Sequence, residues 1–395
     1  MKCEIFLTVF TLVVYTKSDF SDSVGHSNIK LFENVASETE ENFVISPLSV
    51  WSLMTTLSFE AGGKSRTQIK KAFFLPKESR LVKNEYINLT NTVQEASEGV
   101  RLAMKSFLFI NKDMKIKNKF FERMKRNNCS RTVAKFLDFS SNQTAIEANS
   151  LINEYTNLSN VLNEKYFERS KIILTNVISF KGLWSSAFNE SDTTVEPFYD
   201  EYGKEIGKVN MMNQKYPFPY SNMYEMSSMV LEMPYGNDQK YCMLILLPHP
   251  SVTVREVYES FQNVSFRDIF IKLKSDEEEF DLTEVDVKIP RFKIDTNVVI
   301  NKALNSMGVY DIFEPGLANF KRMTDEEVYI SSIIHKADIE VTESGTVASA
   351  SSTSIFENRI VTPIFTANKP FIFLIMEKPT ATVLFSGIYS KPIQF

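Results

Sequence analysis

The sequence predicts an α+β protein built on one large mixed or antiparallel sheet, with helices concentrated early in the chain and strands late. Three observations carry this expectation. Apolar residues recur at helical spacing in the first third of the chain, and after residue 170 the texture changes to short β-branched and aromatic runs. The composition, 43% hydrophobic and 24% charged over 395 residues with 32 Phe and 12 Gly, supplies one packed body and shows no repeat period.

The elements follow in chain order. Lys2 precedes an apolar run from Ile5 to Tyr15, and polar Thr16-Lys17-Ser18-Asp19 follows it. A basic start, apolar middle and polar exit describe a secretory signal peptide over residues 1–18, cleaved within 16–21, ahead of a single domain over 20–395. The run is too short to cross a bilayer, and no later stretch reaches about 18 unbroken apolar residues, so a secreted, extracellular chain without a membrane span is expected. Sequons at Asn88, Asn128, Asn142, Asn157, Asn189 and Asn263 are glycan acceptors if the chain is secreted and each site is exposed. Removal of Cys3 with the leader leaves Cys129 and Cys242, which either pair or stay free and make no disulfide framework.

Between Asn42 and Gly63, Val50, Met54, Leu57 and Ala61 share one helical face, started by Ser46-Pro47 and stopped by Gly62-Gly63. Lys115 to Asn128 reads as a second helix, apolar at Ile116, Phe120 and Met124 and basic at Lys117, Lys119, Arg123, Lys125 and Arg126. That basic face is an ordinary solvated surface with room for weak polyanion binding. Strands are expected at Ile172–Leu174, Val177–Phe180, Met243–Leu247, Val285–Ile289, Phe371–Ile375 and Thr382–Phe385, with Lys378-Pro379 breaking the last two.

A net charge of −5 removes the footprint of a general nucleic-acid binder. No nucleophile elbow, zinc-binding His-Glu-x-x-His, Cys-x-x-Cys or dinucleotide fingerprint occurs, so neither an enzyme nor a cofactor is expected. Gly63-Lys64-Ser65 lacks the leading Gly of a phosphate loop, since position 58 is Ser. His335 lies in the strand-like Ile333–Lys336 and reads as a structural histidine. Asp276-Glu277-Glu278-Glu279 lacks the spaced oxygen ligands of a cation site and reads as a solvated loop; no metal is expected.

From Ser344 to Ser354 run eleven uncharged residues with no large side chain. A flexible linker has this composition, but no second domain follows to be linked, and small residues also let a segment enter a gap between strands. Downstream, Arg359 is the only basic residue between Glu343 and Lys369, and an isolated Arg on an exposed loop fits the acidic primary pocket of a trypsin-like protease.

With these residues in view the chain resembles the serpins, inhibitors that trap serine proteases by loop insertion. The resemblance is carried by Asn42–Ser49, Asn176–Trp184, Val209–Met212, Leu231–Tyr235, Ile289–Phe292, His335–Val341, Phe365–Phe371 and Leu384–Gly387, in order along one chain. It implies a serpin fold, with a large mixed main sheet plus smaller sheets and an exposed reactive loop over about 343–363. It also implies a hinge at Glu343, Ser344, Gly345, Thr346, Val347, Ala348, Ser349 and Ala350, and breach and shutter residues Ser46, Ser49, Asn176, Trp184 and His335. Counting seventeen residues from Glu343, as inhibitory members do, ends on Arg359, which makes Arg359–Ile360 the expected cleaved bond. The implied partner is a trypsin-like serine protease held in a covalent complex, and the implied state is a monomer prone to polymerise.

Secreted, sequon-rich serpins of insect haemolymph are broadly similar and suggest an extracellular protease cascade of the immune or melanisation type. Departures from the family pattern are Ser344 and Val347 in place of Glu, Lys105 in place of Asn, and Ile152–Asn157, which lacks the usual Trp, longer helix and Gly-Lys turn. A non-inhibitory carrier or storage serpin, and an inhibitor of cysteine proteases that accept Arg, are the competing readings.

Overall fold

The computed structural model describes residues 24–127, 131–282, 284–345 and 362–393. The first third of the chain folds into α1 (24–36), β1 (Phe43–Ile45), α2 (Pro47–Glu60), α3 (Gly63–Ala72), α4 (Ser79–Thr92), β2 (Val100–Asn111), α5 (Asn118–Arg126) and β3 (Thr132–Leu137). Then come α6 (Thr144–Thr156), β4 (Ile172–Gly182), β5 (Thr194–Tyr199), β6 (Glu205–Tyr216), β7 (Tyr220–Met223), β8 (Ser228–Tyr235) and β9 (Tyr241–Pro248). The last third gives α7 (Val254–Glu259), α8 (Phe266–Phe280), β10 (Val285–Pro290), β11 (Phe292–Val299), α9 (Asn301–Ser306), β12 (Ser332–Val341), β13 (Ile364–Thr366), β14 (Phe371–Glu377) and β15 (Thr382–Tyr389).

Three sheets result. The main sheet is five-stranded in the order β11-β12-β4-β2-β3, and two others run β1-β15-β14-β9-β8-β7 and β13-β10-β6-β5. The main sheet is mixed, because β12 runs parallel to β4 and β2 parallel to β3 while its other neighbours are antiparallel. The partition into early helices and late strands holds only in part, since β1 to β3 precede α6 and α7 to α9 follow β9. Arg101, Lys105 and Ser106 break the apolar run of β2, which hides its alternation from a sequence reading.

The central strand β4 is buried on both faces. Ile172, Leu174 and Ile178 join the large core that contains α2, whereas Ile173 and Val177 join a smaller cluster under α6 with Phe107, Phe109, Ile334, Ala148 and Ile152. Alternation along the strand sends successive side chains to opposite faces, so one strand anchors both cores.

The helix α2 begins as expected: Ser46 caps it by accepting from the amide of Ser49, and Pro47 follows at the first turn. It is buried all round instead of on one face, with Trp51, Thr55 and Ser58 as inaccessible as Val50 and Met54. The second expected helix starts later than Lys115, because the amides of Lys115 and Lys117 are held by Glu326 and the carbonyl of Met323. Asp276–Glu279 is helix and not loop: it forms the last turns of α8, where Asp276 pairs with Lys272 at 2.6 Å and Glu278 with Lys274 at 3.6 Å, one turn earlier in each case.

Candidate functional site

The seam between β4 and β12 is the feature on which the expected site residues converge. Its parallel ladder runs only from Ile173 with Ser332 to Ser179 with Asp338. Beyond it, Phe180–Gly182 pair with β2 alone and Ile339–Val341 with β11 alone, so the two strands part towards their carboxyl ends.

At mid-seam, His335 and Asn176 face each other across the ladder, and their side chains point to the α2 side. The amide of Ser46 donates to His335 Nε2 at 2.9 Å, so that nitrogen is the acceptor and the ring proton sits on Nδ1. Nδ1 then donates to Asn176 Oδ1 at 2.9 Å, and Ser49 Oγ donates to the same oxygen. Asn176 Nδ2 donates to the Ser49 carbonyl at 3.1 Å and to Ser106 Oγ at 3.0 Å. Ser46, Ser49, Asn176 and His335 are all 0% exposed. Burial pushes the His335 imidazolium down to about 3, so the ring is neutral at physiological pH. This is a structural histidine that joins β12, β4, β2 and the cap of α2.

The open end of the seam holds the beginning of the expected hinge. β12 ends at Val341, and a tight turn follows in which the amide of Thr342 donates to the Gly345 carbonyl at 2.9 Å and that of Gly345 donates back at 3.1 Å. Trp184, just past β4, reaches across: Nε1 donates to the Thr342 carbonyl at 2.9 Å, its amide to the Ser344 carbonyl at 3.2 Å, and its ring stacks on Tyr235 at 4.2 Å. The amide of Phe188 donates to the Glu343 carbonyl at 2.7 Å. The buried Glu343 carboxylate accepts from Thr193 Oγ1 at 2.8 Å and pairs with Arg291 Nη1 at 3.6 Å. Gly345 bridges to Leu183 with φ +104°, where a Cβ would come within 2.3 Å of the Gly182 carbonyl oxygen, so only glycine fits.

The structure therefore brings Ser46, Ser49, Asn176 and His335 into one cluster and sets Trp184 apart with Glu343, Ser344 and Gly345. Thr346, Val347, Ala348, Ser349, Ala350 and the bond Arg359–Ile360 lie outside the described residues, as do the expected signal peptide, Asn128 and Cys129. Cys242 is a free, buried thiol on β9. Asn88, Asn142, Asn157, Asn189 and Asn263 are all exposed. On α5, Arg123 is turned inward against Glu60 and the Arg322 carbonyl, and Lys117 pairs with Asp325, which leaves Lys119, Lys125 and Arg126 as its exposed cations.

Three participants escaped the sequence reading. Ser106 announces itself only as a polar residue beside Lys105, just ahead of the apolar stretch Phe107–Ile110 of β2. Thr193 and Phe188 carry no signal, because nothing local says that the β4–β5 connection touches the hinge.

A family model described as "Serpin (serine protease inhibitor)" matches residues 24–392. Serine protease inhibitor 2 of Anopheles gambiae is 29% identical over 374 residues, covering 89% of this chain and 87% of that protein. Leukocyte elastase inhibitor A of Rattus norvegicus is 36% identical over 230 residues, covering 56% of this chain and 59% of that one. Among solved structures, native protease nexin-1 with heparin superposes with a TM-score of 0.81 at 23% identity, covering 95% of this chain and all of that one. The thermophilic serpin tengpin in its native state gives 0.81 at 23%, covering 94% and 93%. At that identity the likeness to the two structures speaks for the fold.

Proposed function

The chain belongs to the serpin family, whose members inhibit proteases by forming complexes with them, and from that premise we propose that it is a secreted suicide inhibitor of trypsin-like serine proteases, cleaved at Arg359–Ile360. The observation that carries this reading is the seam itself: a parallel strand pair, unpaired at one end, with the hinge turned back at its mouth.

The chemistry follows from that arrangement. The protease serine attacks the Arg359 carbonyl, an ester to the enzyme forms, and the chain from Ile360 leaves with a free amine. The hinge, released from its carboxyl-terminal tether, continues from the 342–345 turn between β12 and β4. Since the turn reverses the chain and β12 and β4 are parallel, the new strand is antiparallel to both. One parallel ladder is replaced by two antiparallel ones, the better-bonded arrangement per residue. Alternation directs Thr346, Ala348, Ala350, Ser352 and Ser354 inward, where their size is tolerated. Roughly a dozen new backbone hydrogen bonds at about 1 kcal/mol net each supply the drive, so the five-stranded form is a kinetically held state. The translocated protease is held as the acyl-enzyme.

Secretion is supported by the order of basic, apolar and polar residues at the amino end and by the exposure of the five described sequon asparagines. A target within an extracellular activation cascade fits the Arg-Ile-Val at the cleaved bond, which resembles the activation point of trypsin-like zymogens. Weak polyanion contact is confined to Lys119, Lys125 and Arg126 on α5.

The test mixes the protein with trypsin beside an Arg359→Ala variant, on denaturing gels with mass spectrometry of the released peptide. A gel-stable complex and a peptide beginning at Ile360, both lost in the variant, are expected. Clean cleavage without complex would transfer the assignment to a non-inhibitory carrier.

A further inference from the structure

The same seam is covered on its outer face. α6 and the stretch after it contribute Ala148, Ile152, Val161 and Leu162 to a cluster that also takes Phe107 from β2, Val177 from β4 and Ile334 from β12. This apolar cover lies over both strands that must part for a new strand to enter.

Few polar contacts fasten it. On the β2 side, Lys105 Nζ stands 5.2 Å over the Tyr155 ring at the end of α6. Asn157 closes α6 in a left-handed conformation, φ +58°, and the chain turns back so that Asn149 Oδ1 accepts from the amides of Val161 and Leu162, both at 2.9 Å. Asn149 Nδ2 donates to the Leu162 carbonyl at 2.7 Å. On the far side, Asn297 of β11 donates Nδ2 to the Val161 carbonyl at 2.9 Å. Attachments at β2 and at β11 therefore bracket the seam, with β4 and β12 between them.

We propose that Asn297 is a positioning residue for loop insertion: by holding Val161 it latches the cover across the β4–β12 seam and sets the rate at which a strand enters. The inference rests on the insertion reading above. Asn149 shapes the segment that is held and acts through Val161. Breaking the latch frees the cover on one side only, because Lys105 and Tyr155 still hold α6 to β2. Opening becomes easier without unfolding.

The experiment adds a synthetic peptide with the sequence of residues 346–358 to the full chain and follows its annealing by intrinsic fluorescence. Trp184 stands at the mouth of the seam and only one other Trp, Trp51, is present. Asn297→Ala is expected to anneal about fivefold faster than the unaltered chain, the effect of one lost hydrogen bond on a barrier. Asn297→Asp, of equal shape but with no N–H to donate, is expected to match it. Asn42→Ala is the control for general weakening, since Asn42 bonds the chain at Ser390 and Lys391, away from this face. An unchanged rate in Asn297→Ala, or equal quickening by Asn42→Ala, overturns the latch. If the unaltered chain neither anneals peptide nor traps trypsin, the insertion reading falls and takes the latch with it. If it does either and Asn297→Ala changes nothing, only the latch falls.

Discussion

The two ends of the β4–β12 seam are held by different chemistry. At its middle, the buried side chains of His335, Asn176, Ser49 and Ser106 bond one another and the Ser46 amide, and every partner belongs to a strand or to the cap and first turn of α2. At its mouth the contacts are a glycine bridge, a ring stack, bonds from Trp184 and Phe188 to the carbonyls of Thr342, Ser344 and Glu343, and a buried carboxylate held by Thr193 and by an Arg that is itself 33% exposed. Buried polar networks are costly to break because each orphaned partner keeps its desolvation penalty, whereas contacts near solvent are replaced by water. The difference teaches where opening begins. On the insertion proposed above, opening is expected to begin at the mouth, with the middle resisting until the new strand supplies substitutes.

Asn176→Ala is the largest blow to this contrast. It orphans the His335 Nδ1 proton and takes from Ser49 Oγ and Ser106 Oγ their bonds to Asn176, at about 1–3 kcal/mol for each. The denaturant midpoint is expected to fall steeply and polymers to form on mild warming; a midpoint within error of the unaltered chain would show that the middle is not the stronger lock.

Acid comes next. The folded pKa of His335, about 3, lies below the ordinary value of 6.5, so the unfolded chain binds a proton that the folded chain refuses. The stability from this group is complete above pH 6.5 and is lost as pH falls towards 3, with a slope of about 1.4 kcal/mol per unit. Denaturation of the unaltered chain and of His335→Gln between pH 7 and 4 isolates this contribution, and the difference between the two should shrink steadily as pH falls.

Gly345→Ala should act on the mouth alone. Its methyl group meets the Gly182 carbonyl, so the turn must move and release Trp184, at a cost of roughly 1–3 kcal/mol. Red-shifted Trp184 emission with a denaturant midpoint lowered less than that of Asn176→Ala is the expected outcome, and a midpoint as low as that of Asn176→Ala would erase the distinction between the two ends. Smallest is Glu343→Gln, which weakens the tie to Arg291, whose side chain is 33% exposed. About 1 kcal/mol is expected, read as faster amide exchange at Glu343–Gly345 with mid-seam exchange unchanged.

Much of this was written in the chain. Ser46-Pro47 starts α2 where expected, the strands expected at Ile172–Leu174 and Val177–Phe180 form as the single β4, and that expected at Met243–Leu247 forms as β9, because capping and alternation are local properties. The acidic run at Asp276 differs from the loop expected there although its i,i+4 pairs with Lys272 and Lys274 are local; only the bond from Ser221 of β7 reaches it from a distant strand. What the sequence determined by itself was the family, the small uncharged stretch after Glu343 and the lone Arg359. Only the tertiary structure decided that β12 and β4 part above Ser179, that Thr193 and Arg291 hold Glu343, and that Asn297 fastens the cover across the seam. Those facts depend on which strands meet and where their register ends, and strand pairing joins residues far apart in the chain, whose meeting no local pattern encodes.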